Sequence, residues 1–140
     1  MRKAASAAFF YSFAFMKPSY LRYTYTSYFG GDFQLKRSKL GVKYRWSDYP
    51  IFQTMAKDKG WIEVEVNADQ WKRFKTVILS LSQWELEYHE DVMDGQDWDV
   101  FIKYPERTIK SKGYFATPDD FERFEEGLIG LGVSSLNKSY

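Results

Sequence analysis

From Tyr20 onward apolar and polar residues alternate. Leu21, Tyr23, Tyr25 and Phe29 share one side and Arg22, Thr24 and Thr26 the other, in a segment rich in β-branched and aromatic residues, the mark of a half-buried strand. Gly30-Gly31 supplies the positive φ angles of a tight turn. Phe33 and Leu35 continue inward on the return strand, and beyond the polar turn Arg37-Ser38-Lys39 the residues Leu40, Val42, Tyr44 and Trp46 alternate with Gly41, Lys43 and Arg45. The pattern predicts a three-stranded antiparallel meander. Alternation lapses from Ser47 to Gly60, where Pro50 points to a loop with a short helical turn near Ile51 to Lys57.

Period two returns with Ile62, Val64 and Val66 inward and Glu63 and Glu65 outward, a fourth strand. Asn67 then offers a cap, and Trp71, Phe74, Val77, Ile78 and Leu81 recur at helical spacing, so a helix over 68–81 should lay one apolar stripe on the sheet. Trp84, Leu86 and Tyr88 alternate again, Asp94-Gly95 marks a connection, and Trp98, Val100, Ile102 and Tyr104 predict a strand over 97–104. Pro105-Glu106-Arg107 turns the chain into a strand over 108–114. Thr117-Pro118-Asp119-Asp120 reads as a helix start, with Thr as cap, Pro at the first position and acids in the first turn, and the helix buries Phe121, Phe124, Leu128 and Leu131.

The order β-β-β-β-α-β-β-β-α predicts an α+β domain, an antiparallel sheet with two helices packed on one face. The other face is left to solvent or to a partner. At 140 residues, 44% hydrophobic and 20% aromatic, the chain can bury the core of one domain, expected over 16–132, with 133–140 as a flexible tail. It has no cysteine, which removes disulfides and thiolate metal sites and leaves the cytoplasm as the expected location. Arg2-Lys3 followed by Ala4 to Met16 resembles the start of a signal peptide. That stretch falls short of the about 20 apolar residues that span a bilayer, and no small-residue cleavage site follows it. Residues 1–15 therefore read as an N-terminal extension, disordered or from an upstream start, with export as the alternative.

The net charge of +1 conceals two opposed blocks: residues 1–45 carry nine Lys or Arg against Asp32 alone, while the remainder is acidic. Blocks of this kind attract each other within a fold or face different partners. On the polar side of the meander Arg22, Lys36, Lys43 and Arg45 should project together with Tyr20 and Tyr28. Cations with exposed aromatics suit a protein interface, and equally single-stranded nucleic acid, whose phosphates they neutralise and whose bases they stack. Glu85, Glu87, Glu90, Asp91, Asp94, Asp97 and Asp99 form an acidic run in which Asp94, Asp97 and Asp99 could offer oxygen ligands to calcium, although the spacing departs from the EF-hand loop. His89 is the only histidine, no nucleophile elbow accompanies it, and no glycine-rich phosphate loop is present. No cofactor and no catalytic residue is expected.

The run Asp94-Gly95, Trp98, Ser111-x-Gly113, Pro118 and Phe121 through Phe124 resembles the pattern of an uncharacterised family of small bacterial and phage-associated α+β proteins. The resemblance spans Trp61 to Leu131, about half the chain, and where that pattern places Asn, Phe115 stands here. It implies an accessory or interaction protein rather than an enzyme. The expected function is a non-enzymatic protein-binding module of the inhibitor, immunity or adaptor type. The alternatives are nucleic-acid binding on the basic face, or a calcium protein or metal-dependent enzyme using residues 85–99.

Overall fold

A computed structural model of the protein describes residues 16–27, 31–47, 60–90 and 96–134. Seven strands form one sheet: β1 (Tyr20–Ser27), β2 (Gly31–Arg37), β3 (Gly41–Ser47), β4 (Ile62–Glu65), β5 (Glu87–His89), β6 (Gln96–Lys103) and β7 (Thr108–Tyr114). Helix α1 (Ala68–Ser80) lies between β4 and β5, and α2 (Phe121–Gly130) follows β7. The sheet order is β4-β3-β2-β1-β6-β7-β5. The α+β class, the meander and the element order are as the alternation predicts. The N-terminal extension, the helical turn near 51–57 and the Asp94-Gly95 turn lie outside the described residues.

Alternate residues of the central strands build the core. Leu21, Tyr23 and Tyr25 of β1, Phe33 and Leu35 of β2, and Trp98, Val100 and Ile102 of β6 are all buried on the face that the helices cover. Tyr23 sits at the junction, edge-on to Phe121 and Phe124 of α2 and 5.9 Å from Phe33. Helix α1 contributes Trp71, Phe74 and Ile78. It opens with a full capping box: the Asn67 side chain accepts from the Gln70 N–H at 2.8 Å and the Gln70 side chain accepts from the Asn67 N–H at 2.9 Å. At its other end, where it has no basic residue of its own, Arg107 reaches over from the β6–β7 turn. Its guanidinium donates to the carbonyls of Ile78 and Leu81 at 3.0 and 2.7 Å and to that of Ser82 at 2.5 Å.

Four local expectations change, and the first is on the edge strand β4, where Ile62, expected inward, is 52% exposed because no strand lies beyond it among the described residues. Only 87–89 of the alternating stretch around Trp84 to Tyr88 is strand, it pairs parallel with β7, and Leu86 is 72% exposed rather than inward. Side chains pin Ser82 to Glu85: the Asp120 carboxylate accepts from the Ser82 N–H at 2.6 Å and the Trp84 indole at 2.8 Å, and the Ser111 hydroxyl donates to the Glu85 carbonyl at 2.6 Å. Asp120, so engaged, replaces Thr117 as the N-cap position of α2, which starts at Phe121. Val133, assigned by its sequence to the tail, is buried, and the adjacent Ser134 hydroxyl lies 3.1 Å from the Tyr44 hydroxyl.

Gly113 shows why the Ser-x-Gly motif sits in β7. A Cβ there would lie 2.2 Å from the Trp98 indole nitrogen and 2.4 Å from the Ala116 carbonyl oxygen, the two atoms joined by a 2.7 Å hydrogen bond. The glycine lets that bond cross directly over the strand.

Candidate functional site

The sheet face away from the helices is the candidate interface. Three rows of side chains cross it, each set by strand register. The first reads Glu63, Lys43, Lys36, Arg22, Phe101, Lys110. The second reads Arg45, Gln34, Thr24, Asp99, Lys112, Glu87. The third reads Asp32, Thr26, Asp97, Tyr114, His89. The face is thus basic at one end and acidic toward β6 and β5.

At the basic end Trp61, just before β4, gathers the cations. Its ring lies 4.9 Å from Lys36 Nζ, 5.3 Å from Lys43 Nζ and 4.5 Å from the Arg45 guanidinium carbon, distances at which the negative ring face attracts positive charge. Arg45 also donates to the Gln34 side chain at 2.8 Å and is 5% exposed. This corrects its expected place among the projecting residues, since it lies beneath the surface and braces Trp61 and Gln34. Tyr20 packs edge-on against Phe101 at 4.9 Å and stays 42% exposed. Tyr20, Arg22, Lys36 and Lys39 border a depression of about 410 Å³. Tyr28 lies outside the described residues.

Arg22 marks the boundary between the two ends, donating to Asp99 at 3.0 Å. Partial burial alone would lower the pKa of its guanidinium, and the Asp99 bond and charge outweigh this and raise it. Asp32 is the opposite case. Burial pushes its carboxyl up, a hydrogen bond with Thr26 offsets part of the shift, and Oδ1 is buried without a partner among the described residues. At the outer edge the Glu63 carboxylate is held below its usual range by a hydrogen bond with Ser38 and by the Leu40 N–H.

Comparison with protein-family models, curated proteins and solved structures gives no match. The chemistry of the face therefore rests on its geometry. Asp97 and Asp99, the expected calcium ligands, stand two residues apart on one side of β6, with Asp99 already engaged by Arg22. Asp94 lies outside the described residues, and among those described no three His, Cys, Asp or Glu side chains converge on a metal position. His89 is stacked on Tyr114 at 5.4 Å and 23°. Among the described residues no helix is long and apolar enough to cross a membrane.

Alternation along single strands placed Arg22, Lys36 and Lys43 on one face. It gave no hint of Trp61 as their common neighbour or of Phe101 beside Arg22. Both follow from strand order, because β1 inserts between β2 and β6 and β4 returns beside β3. The parity of Phe101, opposite to that of Val100 and Ile102, was the one available signal.

Proposed function

We propose that this chain is a small protein-binding module of the inhibitor, immunity or adaptor kind, working in the cytoplasm and docking an acidic surface of its partner on the basic end of the open sheet face. One observation carries the reading: Tyr20, Arg22, Lys36 and Lys43 stand together on a sheet face that neither helix covers, the first three bordering a shallow depression. Aromatic and arginine side chains on a rigid sheet supply contact area and directed hydrogen bonds at small entropic cost. The test is recovery of a bound protein from the native host by wild type and by the triple variant Tyr20→Ala, Lys36→Glu, Lys43→Glu. Loss of the bound protein in the variant is expected, and undiminished recovery sinks this placement.

A second reading, single-stranded nucleic acid, draws on the exposed Tyr20–Phe101 ring pair among cations. Asp97, Asp99 and Glu87, on the β6 to β5 side of the face, repel a phosphate chain crossing the sheet, which favours the protein reading. Binding of an oligothymidylate that weakens steeply between 50 and 200 mM salt, as counterion release of several phosphate contacts requires over roughly that range, would reverse the preference.

A further inference from the structure

The sheet ends on one side at β4, beyond which no strand lies among the described residues. The ladder to β3 fixes which of its backbone groups are engaged. Val66 donates its N–H to the Leu40 carbonyl at 3.1 Å, and the register continues this pairing as Val42 with Val64 and Tyr44 with Ile62. In an antiparallel ladder such pairs alternate with residues whose N–H and C=O point the other way. On β4 those residues are Glu63 and Glu65. Their two N–H and two C=O groups face outward from the edge, and their side chains stand on the open face, while Ile62 on the helix side is left half exposed. The opposite edge, β5, has three residues, and its Glu87 is already paired with Lys112 at 3.2 Å.

Charge decides what can occupy the β4 edge. The Glu63 carboxylate accepts from the Leu40 N–H at 3.4 Å, whereas that of Glu65 has no hydrogen bond or ion pair among the described residues. If two copies of the chain paired antiparallel through these outward groups, a glutamate of one would stand directly opposite a glutamate of the other. Like charges so placed repel, and short charged edges of this kind block self-pairing. A strand that carries Lys or Arg opposite both glutamates meets attraction instead. Its basic residues exchange both backbone bonds with Glu63 and Glu65. The same alternation turns its intervening residues to the helix side, beside Ile62 and Val64, where apolar side chains remove exposed surface from water.

We propose that the β4 edge accepts an extended antiparallel segment of another protein in which basic and apolar residues alternate, lengthening the sheet by one strand. The inference goes beyond the docking reading and holds whatever the basic end binds. The probe is acetyl-Val-Lys-Val-Lys-Val-amide, titrated into full-length, isotopically labelled protein and followed by NMR. Saturable shifts of the Ile62 to Glu65 amides are expected, and Glu65→Lys should weaken binding about threefold or more, as reversal of one cross-strand charge pair implies. N-methylation of the peptide separates backbone pairing from simple charge attraction. Methyl groups on both Lys nitrogens, which face Glu63 and Glu65, should abolish the shifts, whereas one on the central Val nitrogen, which faces away, should leave them. No saturable shift, equal responses to the two methylated peptides, an unchanged affinity in Glu65→Lys, or shifts confined to Glu87 to His89 overturn the proposal. Concentration dependence of the Ile62 to Glu65 amides without peptide would give the edge to a second copy and overturn it as well.

Discussion

Asp120, half-buried, and Asp32, buried, are both carboxylates whose surroundings give them opposite effects on stability. Burial acts upward on the Asp120 pKa, but the Ser82 N–H and the Trp84 indole outweigh it and hold the carboxyl below its usual value. A depressed pKa means that the carboxylate stabilises the fold fully above the unfolded value of about 3.9 and loses that contribution as pH falls through the folded value. Urea unfolding should therefore show Asp120→Asn less stable than wild type at pH 6, with the gap closing below about pH 4. A constant gap across that range would refute the assignment. For Asp32 the raised pKa reverses the sign: the ionised form is penalised above the folded pKa and relieved as pH falls through it. Asp32→Asn, which keeps an oxygen for Thr26, should match or exceed wild-type thermal stability at pH 7, and a clear loss would count against a destabilising charge. Phe115 is a third single-residue case, with φ +57° and 46% of its surface exposed. A bulky side chain in the left-handed region costs about 1–2 kcal/mol, whereas Asn tolerates it. Phe115→Asn should raise Tm by a few degrees, and an unchanged or lower Tm would mean that the exposed ring contributes more than the backbone strain costs.

Among the elements, the two ends of α1 show what sequence reading reaches and what it does not. The Asn67–Gln70 capping box is a four-residue pattern, so the N-terminus was legible; only the capping glutamine remained to be seen. The C-terminus is closed by a residue 26 positions beyond Leu81. No local rule pairs Arg107 with Ile78, Leu81 and Ser82, because the contact exists only once β6 has brought its turn beneath the helix. Hydrogen bonds from a charged donor contribute about 1.5–3 kcal/mol, and carbonyls left without a donor can recover part of that from water. Arg107→Ala should destabilise by about 2 kcal/mol in equilibrium unfolding, and Arg107→Lys, which lacks the fork, should recover less than half. A loss below about 0.5 kcal/mol would mean that water serves these carbonyls as well. The same non-locality explains β5. Alternation through Trp84, Leu86 and Tyr88 was a true pattern, yet bonds from Asp120 and Ser111, both distant in sequence, pin Ser82 to Glu85, and pairing with β7 begins only at the Leu86 carbonyl, which accepts from the Lys112 N–H.

Across the whole molecule the decisive contact is β1 against β6, which joins the basic first third of the chain to its acidic remainder along eight paired residues from Tyr20–Lys103 to Ser27–Gln96. The opposed charge blocks seen in the sequence meet here, with Arg22 beside Asp99. Face parity was legible because it is a property of each strand alone, whereas the rows of the candidate site were not, because they depend on this insertion. The pairing also sets how the fold can be divided. Residues 16–90 contain four consecutive strands, a capped helix and the short β5 segment, and look like a complete ββββα unit. Yet β1 would lose its neighbour on the β6 side, Tyr23 would lose Phe121 and Phe124, and α1 would lose the Arg107 bonds at its end. Buried aromatic surface of this kind is worth about 25 cal/mol per Å², and domains hold only about 5–15 kcal/mol of net stability. Uncovering one side of the central strand should therefore exceed the reserve. A fragment of residues 16–90 is expected to show no cooperative thermal transition by circular dichroism, and adding residues 91–134 as a separate chain should restore one. A sharp transition in the fragment alone would show that the meander and α1 fold independently and that β6 to α2 dock onto a finished unit.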